Sequence, residues 1–184
     1  MSRYDLATAM PGPMPAAVAL AIVVIGVSGS GKSSVGAALA AAMHLPFLEG
    51  DSMHAPASLA KMRAGIALTD RDRQPWLDSI AAWMAGPAAR HGCVVACSAL
   101  RRLYRDRLRR AVPTLQLVAL TVPADLLARR MRERQHFMPP SLLASQLATW
   151  EAPEQDEHAI CADAGDDLAA VVEWVRQELA MRGR

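Results

Sequence analysis

A short segment near the start of the chain carries the strongest chemical signal. Residues 26–33 read Gly-Val-Ser-Gly-Ser-Gly-Lys-Ser, which matches the pattern G-x-x-x-x-G-K-S/T of a phosphate-binding loop. Gly29 and Gly31 can adopt the positive φ values that turn successive backbone amides toward one phosphate, and a helix that begins after them adds its dipole. We therefore predict that nucleotide phosphates bind the following residues: Gly29, Ser30, Gly31, Lys32, Ser33 and Ser34.

Two side chains of this segment have separate predicted roles. Lys32 supplies a mobile cation for the β- and γ-phosphates of ATP, and the Ser33 hydroxyl can be a ligand of Mg²⁺. Lys32 and Lys61 are the only lysines among twenty basic residues, so a lysine here indicates a chemical requirement. The apolar run 94–98 ends without the aspartate of a Walker B motif, so Mg²⁺ would depend on Ser33, the phosphates, water and Asp51.

The sequence also excludes two large classes of nucleotide-binding protein. It contains no asparagine, so the N-K-x-D segment that reads guanine in GTPases is absent. It has no segment like L-S-G-G-Q, which argues against an ABC-type ATPase. A phosphate-binding loop by itself establishes phosphate binding but not the reaction that follows.

A carboxylate after the second predicted strand is the candidate for the acceptor side. Asp51 follows the strand at 47–49 and lies where parallel strands end, which is the edge at which such sheets bind ligands. A carboxylate there can accept the proton of an acceptor hydroxyl and orient it in line with the γ-phosphate. The alternative is that Asp51 only caps the next turn. His54 either contacts the substrate or packs locally.

These residues are positioned by an alternation of short apolar runs and amphipathic stretches. The strand candidates are residues 19–27, 47–49, 93–98, 115–121 and 159–162. The helix candidates are residues 32–43, 58–64, 75–91, 100–111, 123–134, 141–149 and 168–181. We place Pro75 and Pro123 in the first turns of their helices, where a missing amide hydrogen costs nothing. The pattern predicts a three-layer α/β fold, in which helices cover both faces of a five-stranded parallel sheet.

Length and composition limit the remaining possibilities. The chain has 184 residues, of which 52% are hydrophobic and 21% charged, so we predict a soluble globular domain over residues 17–184 and a mobile leader of no assigned role over residues 1–16. No apolar run is long enough to span a membrane. A formal charge of +2 gives no broad positive surface for a nucleic acid, so we expect a small anionic ligand at a local site.

The three cysteines indicate reduced thiols in a cytosol. Cys93, Cys97 and Cys161 are an odd number without a secretory context, which does not suggest a disulfide framework. Cys93 and Cys97 lie in one apolar run, where a strand would hold them too far apart to share a tetrahedral zinc ion. We predict that both are small buried residues.

Several segments taken together resemble the gluconokinases, which are small P-loop kinases related to shikimate and adenylate kinases. The matching segments are residues 26–33, 49–54, 61–65, 68–77, 97–106, 136–138 and 145–146. They follow the family's order from Ile22 to Glu154 and are far more specific than the loop alone. The chain departs from the family's pattern at Ala55, Ser58, Ala67 and the pair Arg101 and Arg102, which we expect around the acceptor pocket.

The resemblance implies a P-loop kinase fold with a small lid and a reaction. ATP, with Mg²⁺, would phosphorylate the 6-hydroxyl of D-gluconate to give 6-phospho-D-gluconate, in a cytoplasmic enzyme that forms a homodimer. Because gluconate carries a carboxylate, its site needs a cation that binds in bidentate fashion. Arg73 is the first candidate, and Arg71, Arg101 and Arg105 are fallbacks. In the helix that follows residue 100, the alternative is that the leucines at 100, 103 and 108 face the core while most arginines face water.

The resemblance also places a closing lid at residues 130–145. Arg130 and Arg134 are four residues apart on one helix, so both guanidinium groups project from one face. Closure would bring them to the transferring phosphoryl group and exclude water. The alternative is an exposed basic face that also contains Arg129 and Arg132.

Two other functions stay open from the sequence alone. One is a small P-loop kinase for another hydroxy acid or sugar acid, such as a shikimate-like substrate. The other is a module that binds ATP without turnover and retains the loop for regulation or interaction.

Overall fold

Short, mostly apolar runs form the five strands that the sequence predicts. The computed structural model describes residues 20–133, 141–165 and 167–182. Within these ranges the strands are β1 (Ala21–Ile25), β2 (Phe47–Glu49), β3 (Cys93–Ala96), β4 (Gln116–Thr121) and β5 (Ile160–Asp163). All pairs are parallel and the order is β2-β3-β1-β4-β5, which confirms the predicted sheet. The leader 1–16, Arg134 and residues 134–140 of the expected lid lie outside the described residues.

The helices follow in the order that the sequence predicts. They are α1 (Lys32–Met43), α2 (Pro56–Arg63), α3 (Asp70–Met84), α4 (Arg102–Ala111), α5 (Ala124–Glu133), α6 (Ser141–Thr149) and α7 (Leu168–Arg182). In the part of the chain that is described, none of them is both long enough and apolar enough to cross a membrane.

The sheet has an apolar core on each face, because alternate side chains of a strand point to opposite sides. Val23 and Ile25 of β1 face a core that α3 and α4 complete. Ile22 and Val24 face the other core, which α1 and α7 complete. This is the predicted three-layer arrangement.

Strand order brings the two predicted halves of the site together. The phosphate-binding loop follows β1 and Asp51 follows β2, while β3 lies between these strands and is paired with both. Since the strands are parallel, all three carboxyl ends meet at one edge. Two strand spacings separate β1 from β2, which is about 10 Å. One small ligand can therefore contact residues after β1, β2 and β3.

The prediction that Pro75 begins a helix is wrong, because a capping box starts α3 earlier. The Thr69 hydroxyl accepts the Asp72 amide hydrogen at 3.2 Å, and the Asp72 carboxylate accepts the Thr69 amide hydrogen at 3.0 Å. Pro75 lies inside the helix, where it lacks the amide hydrogen that would bond to the Arg71 carbonyl and its ring crowds that carbonyl. The predicted end at residue 91 is also wrong, since α3 ends at Met84 and Pro87 begins a separate 3-10 turn.

The prediction for the leucine face of α4 needs one correction. Leu108 is buried, but Leu103 is exposed, and the buried stripe is completed by Tyr104 and Arg105. The stripe 104, 105, 108 follows the 3- and 4-residue spacing of one helix face. Arg105 therefore points inward, although the other arginines of α4, at 102, 107, 109 and 110, are exposed or half-buried.

Cys93 of β3 and Cys97, which directly follows the strand, are buried as predicted, and all three cysteines are free thiols. Burial raises the pKa of Cys93 to about 11 and that of Cys97 to about 12, so both are protonated and inert near neutral pH. Cys161 is exposed on β5.

Candidate active site

The phosphate-binding loop has the backbone that an anion cradle requires. Gly29 has φ 81° and Gly31 has φ 96°, both in the region that glycine adopts without steric cost. Gly31 is the N-cap of α1, so the first amides of α1 open toward the loop. The Lys32 ammonium donates to the Val27 carbonyl at 2.9 Å, which holds the cation over the loop.

A cavity that is open to solvent lies beside this loop. Its walls come from the loop, the turn after β2, α2, α3, the end of β3 and α6. Lys32, Ser33 and Asp51 all line it, together with His54 and Arg73. With Gly29 and Gly31 of the loop, the structure thus brings seven of the predicted site residues to one concave surface.

Gly50 lets the turn that carries Asp51 pack closely against the end of β3, because a side chain at position 50 would not fit. A Cβ atom on Gly50 would lie 2.5 Å from the Ala96 carbonyl oxygen. The Trp76 indole donates its Nε1 hydrogen to the Gly50 carbonyl at 2.7 Å, which fixes the turn from the other side. The Asp51 side chain keeps 28% of its surface exposed, in the cavity.

His54 packs against Trp76 and also lines the cavity, so local packing and substrate contact are compatible roles for it. Its ring stacks on Trp76 with 4.4 Å between the ring centroids and 10° between the planes. Its Nε2 atom lies 4.0 Å from Asp51 Oδ1, while its buried Nδ1 has no hydrogen-bond partner among the described residues. Burial lowers the pKa of His54 and nearby Arg73 lowers it further, although Asp51 opposes them. The imidazole is therefore neutral near pH 7.

Arg73 is the predicted clamp that the structure places in the cavity. Its guanidinium donates to the Leu68 carbonyl, and its Cζ atom lies 5.7 Å from the centre of the Tyr104 ring. Tyr104 is itself buried, and its hydroxyl donates to Asp70. These contacts give the guanidinium a fixed orientation, as bidentate binding of a carboxylate requires.

The other predicted clamps lie elsewhere. Arg71 is exposed and Arg101 pairs with Asp70 at 2.7 Å and with Glu151 at 3.1 Å; neither lines the described walls of the cavity. Arg101 therefore ties the start of α3 to the segment after α6.

Arg105 cannot clamp a substrate, which corrects the prediction. It is fully buried, and its Nε and Nη2 donate to the two oxygens of Glu157 at 2.6 and 2.7 Å. Its Nη1 donates to the carbonyls of Ala99, Leu100 and Glu151. Arg105 therefore joins α4, the turn after β3 and the segment after α6.

Arg130 lies at a second cavity on the other side of the loop. It donates to the carbonyl oxygens of Ala164 at 3.0 Å and Gly165 at 2.7 Å, and the three residues line that cavity together with Ser30 and Ser34. Its predicted partner, Arg134, is outside the described residues. In this structure Arg130 therefore connects the start of the lid region to the loop after β5.

Several residues on the wall of the first cavity had no predicted role there, among them Trp76, Ser98 and Gln146. Trp76 was expected only in the core, while Ser98 and Gln146 stood in matching segments without an assigned function. Ser98 could have been found from its place directly after β3. Gln146 gave no signal beyond the family pattern, because its partner is distant in sequence.

The side chains that could hold a metal ion here are oxygen donors. Ser33 and Asp51 line the same cavity, and hydroxyl and carboxylate oxygens suit Mg²⁺. The described residues contain no group of three histidine, cysteine, aspartate or glutamate side chains placed to hold a metal. The residues therefore fit an ion that phosphate oxygens also bind.

Comparison with known proteins identifies the family. A family model described as an AAA domain matches residues 22–153. The chain is 46% identical over 131 residues to the gluconokinase of Gluconobacter oxydans (strain 621H), covering 70% of this chain and 74% of that protein. It is 39% identical over 156 residues to the thermosensitive gluconokinase of Escherichia coli (strain K12), covering 82% and 83%. The chain belongs to the gluconokinase family.

A solved structure of a gluconokinase shares this architecture. The enzyme from Sinorhizobium meliloti 1021 superposes with a TM-score of 0.78 at 43% identity, over 91% of this chain and 99% of that one. The resemblance to gluconokinases and the predicted P-loop kinase fold are both confirmed. As a member of this family, the chain is a P-loop kinase that uses ATP.

Proposed function

We propose that this protein transfers the γ-phosphoryl group of ATP to the 6-hydroxyl of D-gluconate, giving 6-phospho-D-gluconate and ADP. The observation that carries the proposal is one cavity that contains an amide-lined loop with its lysine, a carboxylate and a fixed arginine. These are the groups that a donor phosphate, an acceptor hydroxyl and an acceptor carboxylate would need. Membership of the gluconokinase family supports the same substrate. The relatives give no support to a kinase for another acid or to a module without turnover.

Asp51 orients and deprotonates the acceptor. Its carboxylate accepts the proton of the 6-hydroxyl as the oxygen attacks the γ-phosphorus. The new bond joins O6 to phosphorus, and the bond between that phosphorus and the β,γ-bridging oxygen breaks, which leaves ADP. Gly50 supports this role because it fixes the turn that carries Asp51.

Lys32 and the loop amides bind the phosphates of ATP. The ammonium moves from the Val27 carbonyl, which it contacts in this structure, to the β- and γ-phosphate oxygens. Ser33 and the phosphates would hold Mg²⁺, which supplies positive charge against the charge on the transferring group. Asp51 lies on the same wall and can contribute through water.

Arg73 binds the gluconate carboxylate and thereby sets which hydroxyl reaches Asp51. Its support is the fixed guanidinium and its place on the same wall as Asp51. The neutral His54 can form a hydrogen bond with a sugar hydroxyl, while stacking on Trp76 holds the imidazole ring in place. A substrate without the carboxylate would bind more weakly and in more orientations.

The second cavity is proposed for the adenosine part of ATP. It begins at the loop residues that hold the phosphates and is partly closed by Arg130, which bonds to Ala164 and Gly165. With this placement Arg130 contacts the nucleotide, and Arg134 stays the proposed arginine for the transferring phosphoryl group. A homodimer and a cytoplasmic location also remain part of the proposal.

A coupled assay of ADP release across a panel of acceptors tests the function. We expect D-gluconate to support release far better than shikimate, glucose or a nucleoside monophosphate. Lys32→Ala and Asp51→Asn should each remove most of the turnover while circular dichroism shows an intact fold. Asp78→Asn, on the exposed side of α3, is the matched control and should keep normal rates. Equal rates on shikimate would refute the substrate, and a folded Asp51→Asn variant with near-normal turnover would refute the role of Asp51.

A further inference from the structure

A side chain of α6 binds one backbone amide of the phosphate-binding loop. The Ser28 amide donates to Gln146 Oε1 at 2.6 Å, although the two residues are 118 positions apart. An N–H group needs an acceptor, so the side-chain carbonyl of Gln146, and not its NH₂ group, faces the loop. Gln146 also lines the first cavity. The bond therefore connects the wall of the site to the loop that grips the phosphates.

On the loop side, Ser28 lies in the turn that controls Lys32. The Val27 carbonyl accepts the Ser30 amide hydrogen at 3.2 Å and also the Lys32 ammonium at 2.9 Å. Ser28 is buried between these bonded residues and precedes Gly29 with its positive φ. A shift of the Ser28 amide would move the whole turn, and with it the place from which the lysine acts.

On the helix side, Gln146 is held by its neighbours on α6. Leu142, one turn earlier, packs with Met62 and Leu68, which also line the cavity on the acceptor side. Leu143 packs against the cluster that contains Val27. Gln146 therefore acts from a helix that contacts both the acceptor side and the loop.

The far end of α6 is fixed as well. The Glu151 amide donates to the Leu100 carbonyl at 2.8 Å, and the Glu151 carboxylate accepts the Arg102 amide hydrogen at 2.6 Å. These bonds tie the segment after α6 to the turn after β3. The carbonyl of Gln146 is thus presented to Ser28 from a helix with restrained ends.

We propose that Gln146 is a positioning residue for the phosphate-binding loop. Its carbonyl holds the Ser28 amide, and this sets the Val27 turn and the starting position of Lys32 for binding ATP. Glutamine suits the task because it supplies the acceptor without placing a negative charge beside the phosphates. Only the kinetic part of the test below rests on the proposed function.

The test compares Gln146→Met with Gln177→Met, a matched change at an exposed glutamine of α7 whose side chain donates to Glu173. Hydrogen exchange of the Ser28 amide, followed by NMR, is the direct measurement. In Gln146→Met we expect exchange about tenfold faster, because a buried amide loses its partner. Gln146→Glu keeps an acceptor and should keep the protection, whereas Gln177→Met should not change it.

The kinetic arm measures KM and kcat for each substrate of the same variants. Gln146→Met should raise KM for ATP about tenfold, the effect of one lost hydrogen bond, with KM for gluconate changed much less. A merely structural role would instead lower the melting temperature without separating the two KM values. Unchanged Ser28 exchange in Gln146→Met, or an unchanged KM for ATP, would overturn the proposal. If gluconate supports no turnover in the unaltered protein, the proposed function fails while the exchange measurement still decides the role of Gln146.

Discussion

Replacement of Arg105 separates a structural arginine from a substrate-binding one. Both Arg105 and Glu157 have side chains with 0% exposure, and they form a bidentate ion pair. Burial alone would raise the pKa of Glu157, but hydrogen bonds from Arg105 and from the Glu154 amide outweigh it and lower the pKa. The Glu157 carboxylate is therefore charged in the folded protein. Arg105→Met keeps most of the side-chain volume and removes the positive charge.

The size of the effect follows from burial. Removal of one partner of a buried ion pair leaves an uncompensated charge and costs about 3–5 kcal/mol. In a domain of this size each kcal/mol corresponds to about 2–4 °C, so the melting temperature should fall by about 6–20 °C. The variant should still fold near room temperature, since domains have about 5–15 kcal/mol of stability.

Thermal unfolding followed by circular dichroism at pH 7 measures this change. The matched control is Arg107→Met on the same helix, where the guanidinium is partly exposed and pairs with the exposed Asp78. Exposed pairs contribute little, so the control should melt within about 4 °C of the unaltered protein. The double variant Arg105→Met with Glu157→Leu should regain most of the loss, because apolar residues can replace a buried pair.

The KM of Arg105→Met for gluconate gives a second test, because Arg105 holds a turn whose residues line the cavity. Ala99, whose carbonyl binds Arg105, has φ 31°, a conformation that costs a non-glycine residue energy and must be held by its surroundings. Ser98 and Leu100 flank it on the cavity wall. If Arg105→Met melted like Arg107→Met while its KM for gluconate rose sharply, Arg105 would be a clamp and the structural interpretation would be refuted.

Three further predictions follow from the same geometry. Arg73→Lys keeps the charge but loses the planar guanidinium group, so KM for gluconate should rise at least about tenfold with KM for ATP unchanged. The same KM for gluconate in the variant and the unaltered protein would contradict binding of the carboxylate by Arg73. Gly50→Ala would press a methyl group on the Ala96 carbonyl and should lower the melting temperature by about 2–12 °C, whereas Gly165→Ala, which has open space, should not; equal melting temperatures would contradict the tight approach. Because the pKa of His54 is lower in the folded protein than its unfolded value of about 6.5, the unfolded state takes up the proton first and stability falls as pH drops through that value. Urea unfolding at pH 7.5 and 5.5 should show a smaller fall for His54→Gln, and an equal fall would contradict a buried neutral imidazole.

The sequence predicts the part of the site that depends on local pattern. The loop glycines and Lys32 follow the continuous apolar run of β1, Asp51 follows the short strand β2, and the carboxyl ends of parallel strands share an edge. Their proximity needed no knowledge of side-chain packing. The start of α3 is encoded locally too, since Thr69 and Asp72 have the spacing of a capping box, but Pro75 is also typical of a first helical turn and favours a later start.

The rest depends on contacts between residues far apart in sequence. In the sequence, Arg105 stands in a helix rich in arginines and would be expected on its solvent-exposed face. Only the position of Glu157 shows that Arg105 is buried. A helix pattern predicts the face on which a residue lies, but not whether the core contains an ion-pair partner for it. The contact of Gln146 is equally hard to predict, because its partner is a backbone amide, a group that every residue type except proline carries.

The departures from the family's pattern now carry a different meaning from the one the sequence suggested. Ala55 and Ala67 are exposed, and Ser58 is buried on α2, yet none of the three lines the described walls of the first cavity. Met62 and Leu68, from matching segments, line it instead. Substitutions outside a cavity can alter specificity only through the residues that form its wall. The residues that would contact gluconate therefore keep the family's pattern, and this supports gluconate over a related acid as the acceptor.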